Sequence, residues 1–221
     1  MKWPATVGAV RARPVQTRHK TDLTSKEYVT RKAWREARLH FCPAHPQGGC
    51  GFHRNGTYPR VAPAGMRIAR YYCPKAKITY SLLPDCLASR LSGDLSAVEE
   101  VVAHVERSKS IEAAADYLRS LTISLPSAVR WVRRRLVPVR AALLALVTLM
   151  PERFGGCAPT VGDIRLFLGA PEALVALREV SQACLGTLPP PLGFGPRVKP
   201  RRRRRGDRQH QMGPDPPAGR W

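Results

Sequence analysis

The sequence has few acidic residues. Its 221 residues include 37 Lys and Arg but only 16 Asp and Glu, which gives a formal net charge of +21 at pH 7. A surplus of this size destabilises a compact chain through self-repulsion unless a polyanion neutralises it. The polyanions that fit are nucleic acids and anionic membrane surfaces. Net charge alone neither separates these two partners nor predicts a fold.

The sequence also lacks a long hydrophobic segment. The longest clean apolar run extends from Ala141 to Met150, whereas a transmembrane helix needs about 20 residues. The N-terminal residues Met1 to Pro4 do not open the apolar stretch of a secretory signal peptide. We therefore expect a cytoplasmic protein with no membrane partner. In that reducing compartment, the six cysteines are expected to be buried thiols or metal ligands before disulfides.

Composition divides the chain into five segments. Residues 1–39 are a basic N-terminal arm, and residues 40–83 are rich in Cys, His, Gly, Pro and Tyr, which is typical of turns and short strands. Residues 84–150 are helical by pattern, and residues 151–188 resemble a further helical hairpin. Residues 189–221 are rich in Pro, Gly and Arg, so we expect this tail to be disordered.

Cysteine and histidine residues cluster in the second segment. Cys42-Pro and Cys50-Gly are suited to tight turns, because Pro fixes φ and Gly permits the positive φ that lets backbone amides point at a thiolate. Cys73 follows after a separation that suits one intervening hairpin. Zinc takes four such ligands on a tetrahedron, commonly from two turns joined by a hairpin.

The sequence leaves two candidates for the fourth ligand of this predicted zinc ribbon. Lys75, Ala76 and Lys77 stand where a regular ribbon has a second Cys or His after Cys73, so the missing ligand must come from the first turn. The preferred set is Cys42, His45, Cys50 and Cys73; the alternative exchanges His45 for His53. A degenerate ribbon without metal is the other interpretation. If zinc binds, its role is expected to be structural, since no open coordination position or nearby general base is apparent.

Two helices separated by a short break are predicted at residues 110–118 and 126–136. Ser110 is a favourable N-cap, and Ala113 to Ala115 are small enough for close contact with another helix. Pro126 is favoured in the first turn of the second helix. A further helix is expected from Val139 to Met150. This arrangement predicts a helix-turn-helix.

The second of these helices has two different faces. At 100° per residue, an apolar stripe is formed by Val129, Val132 and Leu136. The opposite face carries Ser127, Arg130, Trp131 and Arg134, with Arg133 on a flank. A helical bundle with a solvated basic face is one interpretation. DNA recognition is favoured because no acidic residue between positions 126 and 140 neutralises the arginines. Trp131 is expected to pack on the following helix or to contact nucleic acid.

The two ends of the chain are also basic. The N-terminal arm carries ten Lys and Arg against three acidic residues and has one predicted helix from Ser25 to Leu39. The tail contains an unbroken run of arginines: Arg201, Arg202, Arg203, Arg204 and Arg205. Such runs bind phosphates without reading sequence, and their affinity falls steeply with salt. A solvated tail without a defined partner is the alternative.

Several of these motifs together resemble a known family. The segments CPAHPQGGCG (42–51), GTYPR (56–60), RIARYYCP (67–74) and SLLPDCLA (81–88) are similar to the zinc-ribbon head of bacterial transposon and insertion-sequence proteins, in which a helix-turn-helix follows. The resemblance covers about residues 40–192. It implies DNA binding at element ends or regulation of the element, beside a separate transposase. It also implies a nucleoid-associated location.

These observations predict a mainly α protein with a small zinc-ribbon-like β head, a helix-turn-helix domain and disordered basic tails. The expected function is non-catalytic binding of duplex DNA by Ser127, Arg130, Arg133 and Arg134, with the arginine tail gripping phosphates. One alternative is a zinc-ribbon protein that binds single-stranded RNA through Tyr58, Tyr71, Tyr72 and Tyr80. A metal-dependent nuclease is less favoured, because no paired carboxylate motif with a supporting His is visible.

Overall fold

A four-stranded mixed sheet forms one side of the protein. The computed structural model describes residues 13–122 and 127–195. The strands, in chain order, are β1 (Arg13–His19), β2 (His53–Pro59), β3 (Arg67–Cys73) and β4 (Ile78–Pro84). Their order across the sheet is β1-β4-β3-β2, with β1 parallel to β4 and the other pairs antiparallel.

Both faces of the sheet are covered. Alternate residues of a strand point to opposite faces, so Ala69, Tyr71 and Cys73 of β3 pack with Tyr80 and Leu82 of β4 on one face. On the other face, buried apolar side chains come from the sheet and from the N-terminal segment: Ile68, Leu83, Tyr28 and Trp34. The sheet is therefore the middle layer of a small core.

Strand β1 comes from the segment that was predicted to be a basic arm. Val15 is its only aliphatic residue apart from Pro14, so alternation gives no strand signal. It pairs in register with β4, Val15 opposite Tyr80. Arg18 fixes this edge strand through two hydrogen bonds of 2.8 Å, from Nε and Nη2 to the two carboxylate oxygens of Asp85.

Seven helices account for much of the rest of the described chain. They are α1 (Ser25–Thr30), α2 (Leu95–Arg107), α3 (Ile111–Thr122), α4 (Ala128–Leu149), α5 (Pro151–Phe154), α6 (Val161–Leu168) and α7 (Ala173–Val180). Helix α4 packs on both α2 and α3, and its buried stripe includes Val132, Leu136, Val139, Leu143 and Leu146. None of the described helices has the length and apolar character needed to cross a bilayer.

The helical pattern is confirmed in part. Ser110 caps α3, because its Oγ accepts a hydrogen bond of 3.0 Å from the Ala113 N–H. Pro126 lies outside the described residues. The two helices expected on either side of Pro138 are one helix, α4, which contains that proline. The helix expected from Ser25 to Leu39 ends at Thr30, and Lys32 has a positive φ of 53°.

The predicted fold class is wrong. A mainly α protein with a small zinc-ribbon head was expected, whereas the chain is an α/β protein whose sheet recruits a parallel strand from the N-terminal segment. The boundary of the disordered tail, predicted at residue 189, is also wrong. Leu192 is fully buried, and the Ser89 hydroxyl donates to the Gly193 carbonyl, so residues 189–195 belong to the fold.

A buried carboxylate fixes the start of α7. Glu99 of α2 has no exposed surface and accepts hydrogen bonds from the backbone N–H groups of Ala173 (2.9 Å) and Leu174 (2.7 Å). Arg165 of α6 donates to the same side chain through Nε at 2.7 Å. A negative charge is favourable at a helix N-terminus, so one residue ties α2, α6 and α7 together.

A buried guanidinium joins the sheet to the helices. Arg178 of α7 is fully buried. Its Nε, Nη1 and Nη2 donate at 2.9–3.2 Å to the backbone carbonyls of Pro84, Asp85, Pro191 and Leu192. The end of β4 and the C-terminal loop are therefore held by one side chain.

Replacing Arg178 by Met is expected to lower the free energy of unfolding by about 3 kcal/mol, because four buried carbonyls lose their donors. Urea unfolding followed by circular dichroism measures the change. The matched control is Arg107→Met, which removes an exposed arginine at the end of α2 and is expected to stay within about 0.5 kcal/mol of the wild type. Equal effects of the two substitutions would show that Arg178 does not join the two parts.

Candidate metal centre and basic helix

Three cysteines and one histidine meet beside the sheet. The ligand atoms of Cys42, His45, Cys50 and Cys73 all lie within 4.8 Å of one another. His45 Nδ1 is 3.6 Å from Cys42 Sγ and 3.4 Å from Cys73 Sγ. The three cysteines are buried, and His45 is half-buried. The structure thus brings together the four residues of the preferred ligand set.

These separations match a tetrahedral metal ion. With metal–sulfur and metal–nitrogen bonds of about 2.3 and 2.05 Å, tetrahedral ligands place sulfur about 3.6 Å from nitrogen and about 3.8 Å from another sulfur. Of the two sulfur–nitrogen distances, one equals that value and the other is 0.2 Å shorter. The four side chains are therefore compatible with one four-coordinate metal ion.

Tight turns place the first three ligands. The His45 N–H donates to the Cys42 carbonyl and the Gly48 N–H to the His45 carbonyl, both at 3.0 Å. Gly51 has a φ of +68°, and a Cβ at that position would lie 3.1 Å from Cγ of Pro74. A side chain at residue 51 would therefore push the ligand loop away from the turn that follows Cys73.

His53 is not part of this cluster. Its Nδ1 lies 2.7 Å from the Gly51 carbonyl oxygen, and its ring contacts the Tyr72 ring edge-on. His53 is exposed on β2, so its ring supports the hairpin from outside. The alternative ligand set, with His53 in place of His45, is not assembled in the structure.

Backbone amides favour the thiolate form at Cys73. Burial raises the pKa of this thiol, but the backbone N–H groups of Ala76 and Lys75 and the two neighbouring thiols outweigh it, so the pKa of Cys73 is lowered. The Ala76 N–H donates to Cys73 Sγ at 3.4 Å. At Cys50, burial has the larger effect and raises the pKa. Lys75 and Ala76 stand where a regular ribbon has its fourth ligand. Their backbone N–H groups lower the pKa of Cys73.

The exposed side of α4 carries the predicted basic residues. Arg130, Arg133 and Arg134 are exposed beside Ser127, and Val132 and Leu136 are buried as the helical wheel predicts. Val129 is only half-buried. A groove of about 510 Å³ at the start of the helix is lined by these polar residues and also by Arg119, from the last turn of α3. Sequence reasoning missed Arg119, although it stands at the end of the first predicted helix.

One acidic residue does offset the arginines. Glu112, in the first turn of α3, accepts a hydrogen bond of 3.1 Å from Nη2 of Arg133. The expectation of an unneutralised face holds within residues 127–140 but overlooked this neighbouring helix.

Trp131 is half-buried against the helical core, and the guanidinium of Arg135 lies 3.5 Å from the centre of its ring. Trp131 is thus an internal packing residue on the flank of the helix.

The arginine run of the tail, Arg201 to Arg205, lies outside the described residues.

No protein-family model, curated protein or solved structure matches this chain. The geometry of the metal cluster and of the basic helix is therefore the basis for inferring function.

Substitutions of His45 and His53 are expected to have opposite effects on the metal content of the protein. Purified wild-type protein is expected to hold about one equivalent of a divalent metal, and His45→Ala should lose most of it because one of four ligands is removed. His53→Ala is the matched control and should retain the wild-type content. Inductively coupled plasma analysis of dialysed protein measures both. Loss of metal from His53→Ala with retention in His45→Ala would contradict the ligand set.

Proposed function

We propose that this protein binds duplex DNA through the N-terminal half of α4 and holds a structural zinc ion in the Cys42–His45–Cys50–Cys73 cluster. The observation that carries the proposal is the concentration of exposed arginines on the outward side of a helix whose opposite side packs on α2 and α3. The proposed role is non-catalytic. The resemblance of the head motifs favours an accessory or regulatory protein of a bacterial mobile element, beside a separate transposase.

The groove at the start of α4 supports a polyanionic partner. Four arginines line it, Arg119, Arg130, Arg133 and Arg134. Two acidic residues lie close by: Asp116 pairs with Arg119, and Glu112 pairs with Arg133. The four paired side chains are about half exposed or more, so the ion pairs are weak. Arg130 and Arg134 are the residues expected to contact bases or phosphates first.

The helix itself has the layout that enters a major groove. It packs on α3, which precedes it across a short connection, and its first turns carry the exposed polar residues. In helix-turn-helix proteins, the N-terminal residues of the second helix contact base edges while the first helix crosses the backbone. Arginine can bond guanine in a bidentate manner, and Ser127 can reach phosphate or base.

Zinc is the metal that the donor set favours. Thiolate and imidazole ligands suit zinc, whereas magnesium and calcium take oxygen ligands. All four ligands come from the protein, which is typical of a structural site rather than a catalytic one. When bound, the ion would cross-link the loop of residues 42–51 to the end of β3.

The tyrosines argue against recognition of single-stranded RNA by the sheet. Such recognition needs exposed aromatic rings on which bases stack. Tyr71 and Tyr80 are buried, and the Tyr71 hydroxyl donates to the Ala37 carbonyl. Tyr58 and Tyr72 are half-buried, with Arg70 over the Tyr58 ring. Two of the four rings are therefore closed to stacking bases, and the other two are partly covered.

The carboxylates argue against a nuclease. Asp85 accepts hydrogen bonds from Arg18, and Glu99 accepts them from the N–H groups at the start of α7. Glu106 accepts hydrogen bonds from the N–H groups of Val161 and Gly162 at the start of α6. Within the part of the chain that the structure describes, the cluster of Cys42, His45, Cys50 and Cys73 is the only group of three or more His, Cys, Asp or Glu side chains close enough to hold a metal ion. These acidic side chains stabilise the fold instead.

Removing Arg130 and Arg134 together is expected to weaken binding to a duplex at least tenfold and to reduce the slope of log affinity against log salt by about 2, because two charge contacts are lost. Fluorescence anisotropy with a labelled duplex over a salt series measures both. Glu112→Gln should act in the opposite direction and strengthen binding, since it removes a negative charge from the groove.

Arg38→Ala is the matched control, because Arg38 is an exposed arginine outside the helical part of the protein. It should change affinity less than twofold. Competition with single-stranded RNA separates the two nucleic-acid partners. A wild-type protein that ignores duplexes in dilute salt, or an unchanged affinity in the double variant, would refute DNA binding by α4.

Chelation is expected to lower the melting temperature of the zinc-loaded protein, because binding energy at a structural site contributes to folding energy. Added zinc should restore the melting temperature and added magnesium should not, since thiolate ligands disfavour magnesium. Differential scanning calorimetry measures the change, with Cys50→Ser as the variant that should no longer respond. An unchanged melting temperature after complete removal of metal would contradict the structural role.

A further inference from the structure

The excess positive charge of the fold lies mainly beside the sheet. Residues 13–84, which supply the four strands, contain 14 Lys and Arg against three Asp and Glu. Residues 85–195, which supply helices α2 to α7, contain 12 Lys and Arg against 11 Asp and Glu. The groove on α4 is thus a local basic site in a nearly balanced part of the chain. A polyanion is attracted more strongly by the part that carries the sheet.

Most of this excess comes from a span without acidic residues. Residues 37–84 contain seven Lys and Arg and no Asp or Glu. No ion pair within the described residues includes a member of this span. Four of its cations have other partners inside the protein, namely backbone carbonyls, a hydroxyl or an aromatic ring: Arg54, Arg60, Arg67 and Arg70. The charge of the span is therefore left without a counter-charge inside the described fold.

Two of the remaining cations share one rigid turn. Lys75 and Lys77 lie between β3 and β4 and are exposed. Backbone N–H groups of the turn donate to Cys73 Sγ, and Lys77 has a φ of 55°. Pro74 packs against Gly51 of the ligand loop. A fixed backbone lowers the entropy that is lost when the two ammonium groups bind a partner.

We propose that Lys75 and Lys77 bind the phosphate backbone of nucleic acid, as a second contact beside the groove on α4. The inference rests on the proposed DNA binding for the identity of the polyanion. Lysine ammonium groups bind phosphates as point charges. Phosphate contacts fix the register and orientation of a protein on the duplex without reading its sequence. The helix would then contact the bases while the turn holds the orientation.

Nucleic acid fits this turn better than an anionic membrane. A membrane-bound surface typically uses an amphipathic helix whose apolar face enters the lipid, whereas residues 74–77 carry no large apolar side chain. Two lysines also fall short of the cluster of about four to eight basic residues that marks binding to anionic lipid. Phe41, next to the ligand Cys42, is 73% exposed, so anionic vesicles serve as the competing probe.

The test removes the two lysine charges and compares the result with a matched change. Lys75→Gln with Lys77→Gln is expected to weaken binding to a 24-base-pair duplex about fivefold and to reduce the slope of log affinity against log salt by about 2. Arg31→Gln with Lys32→Gln is the control, because it removes two exposed charges from another turn, where Lys32 has a φ of 53° and Glu27 lies beside Arg31. The control should change the slope by less than about 0.5.

Fluorescence anisotropy over a salt series measures both quantities, and an unchanged melting temperature shows that the variants are folded. The lysine substitutions are also combined with Arg130→Ala and Arg134→Ala. Because the two contacts lie on separate elements, their losses should add, so the lysine pair should lower the slope equally in either background. Binding to vesicles of phosphatidylcholine and phosphatidylserine is measured by co-sedimentation.

Equal slopes for the lysine variant and the control, or loss of vesicle binding with unchanged duplex binding, would overturn the lysine contact and leave DNA binding by α4 intact. An effect of the lysine pair without an effect of the arginine pair would refute binding by α4 and support the lysine contact. A wild-type protein that binds no duplex in dilute salt would refute both.

Discussion

The architecture depends on a buried guanidinium whose bonds all go to backbone carbonyls. Burial lowers the pKa of Arg178 to about 10, so the group keeps its charge at neutral pH. A buried charge costs several kcal/mol of desolvation, and charge-assisted hydrogen bonds to Pro84, Asp85, Pro191 and Leu192 offset that cost. Because two of these carbonyls lie at the end of β4 and two belong to the C-terminal loop, the sheet, α7 and the loop form one unit.

Several of the few acidic residues stabilise the fold. Asp85 holds β1 through Arg18, Glu99 fixes the start of α7, and Glu106 bonds the first turn of α6. Acidic side chains at these positions join elements that are far apart in sequence. Many arginines and lysines remain exposed on the surface, which is the electrostatic condition on which the proposed DNA binding depends.

Local signals in the sequence predicted part of the structure. The spacing of Cys42, Cys50 and Cys73 and the turn-forming Pro and Gly beside them indicated three of the ligands and left His45 and His53 as candidates for the fourth. The 3.6-residue period indicated the helical segments of α4, although two helices were expected there. Strand β1 could not be predicted, because its strand partner is a parallel strand about 65 residues further along the chain. Arg178 was equally hidden, since a single arginine in an amphipathic helix gives no sign that its partners are carbonyls.

In the described parts of the chain, the metal cluster and the basic helix are linked through a series of intermediates. The cluster includes Cys73 at the end of β3, β3 pairs with β4, and two carbonyls at the end of β4 accept hydrogen bonds from Arg178 of α7. Helix α7 is tied through Glu99 to α2, on which α4 packs. Because α4 packs mainly on α2 and α3, a metal at the cluster would act on the sheet more directly than on the arginine surface. In the proposed function the two features therefore have separate tasks: the ion would keep the small sheet folded, and the helical core would orient the groups that meet DNA.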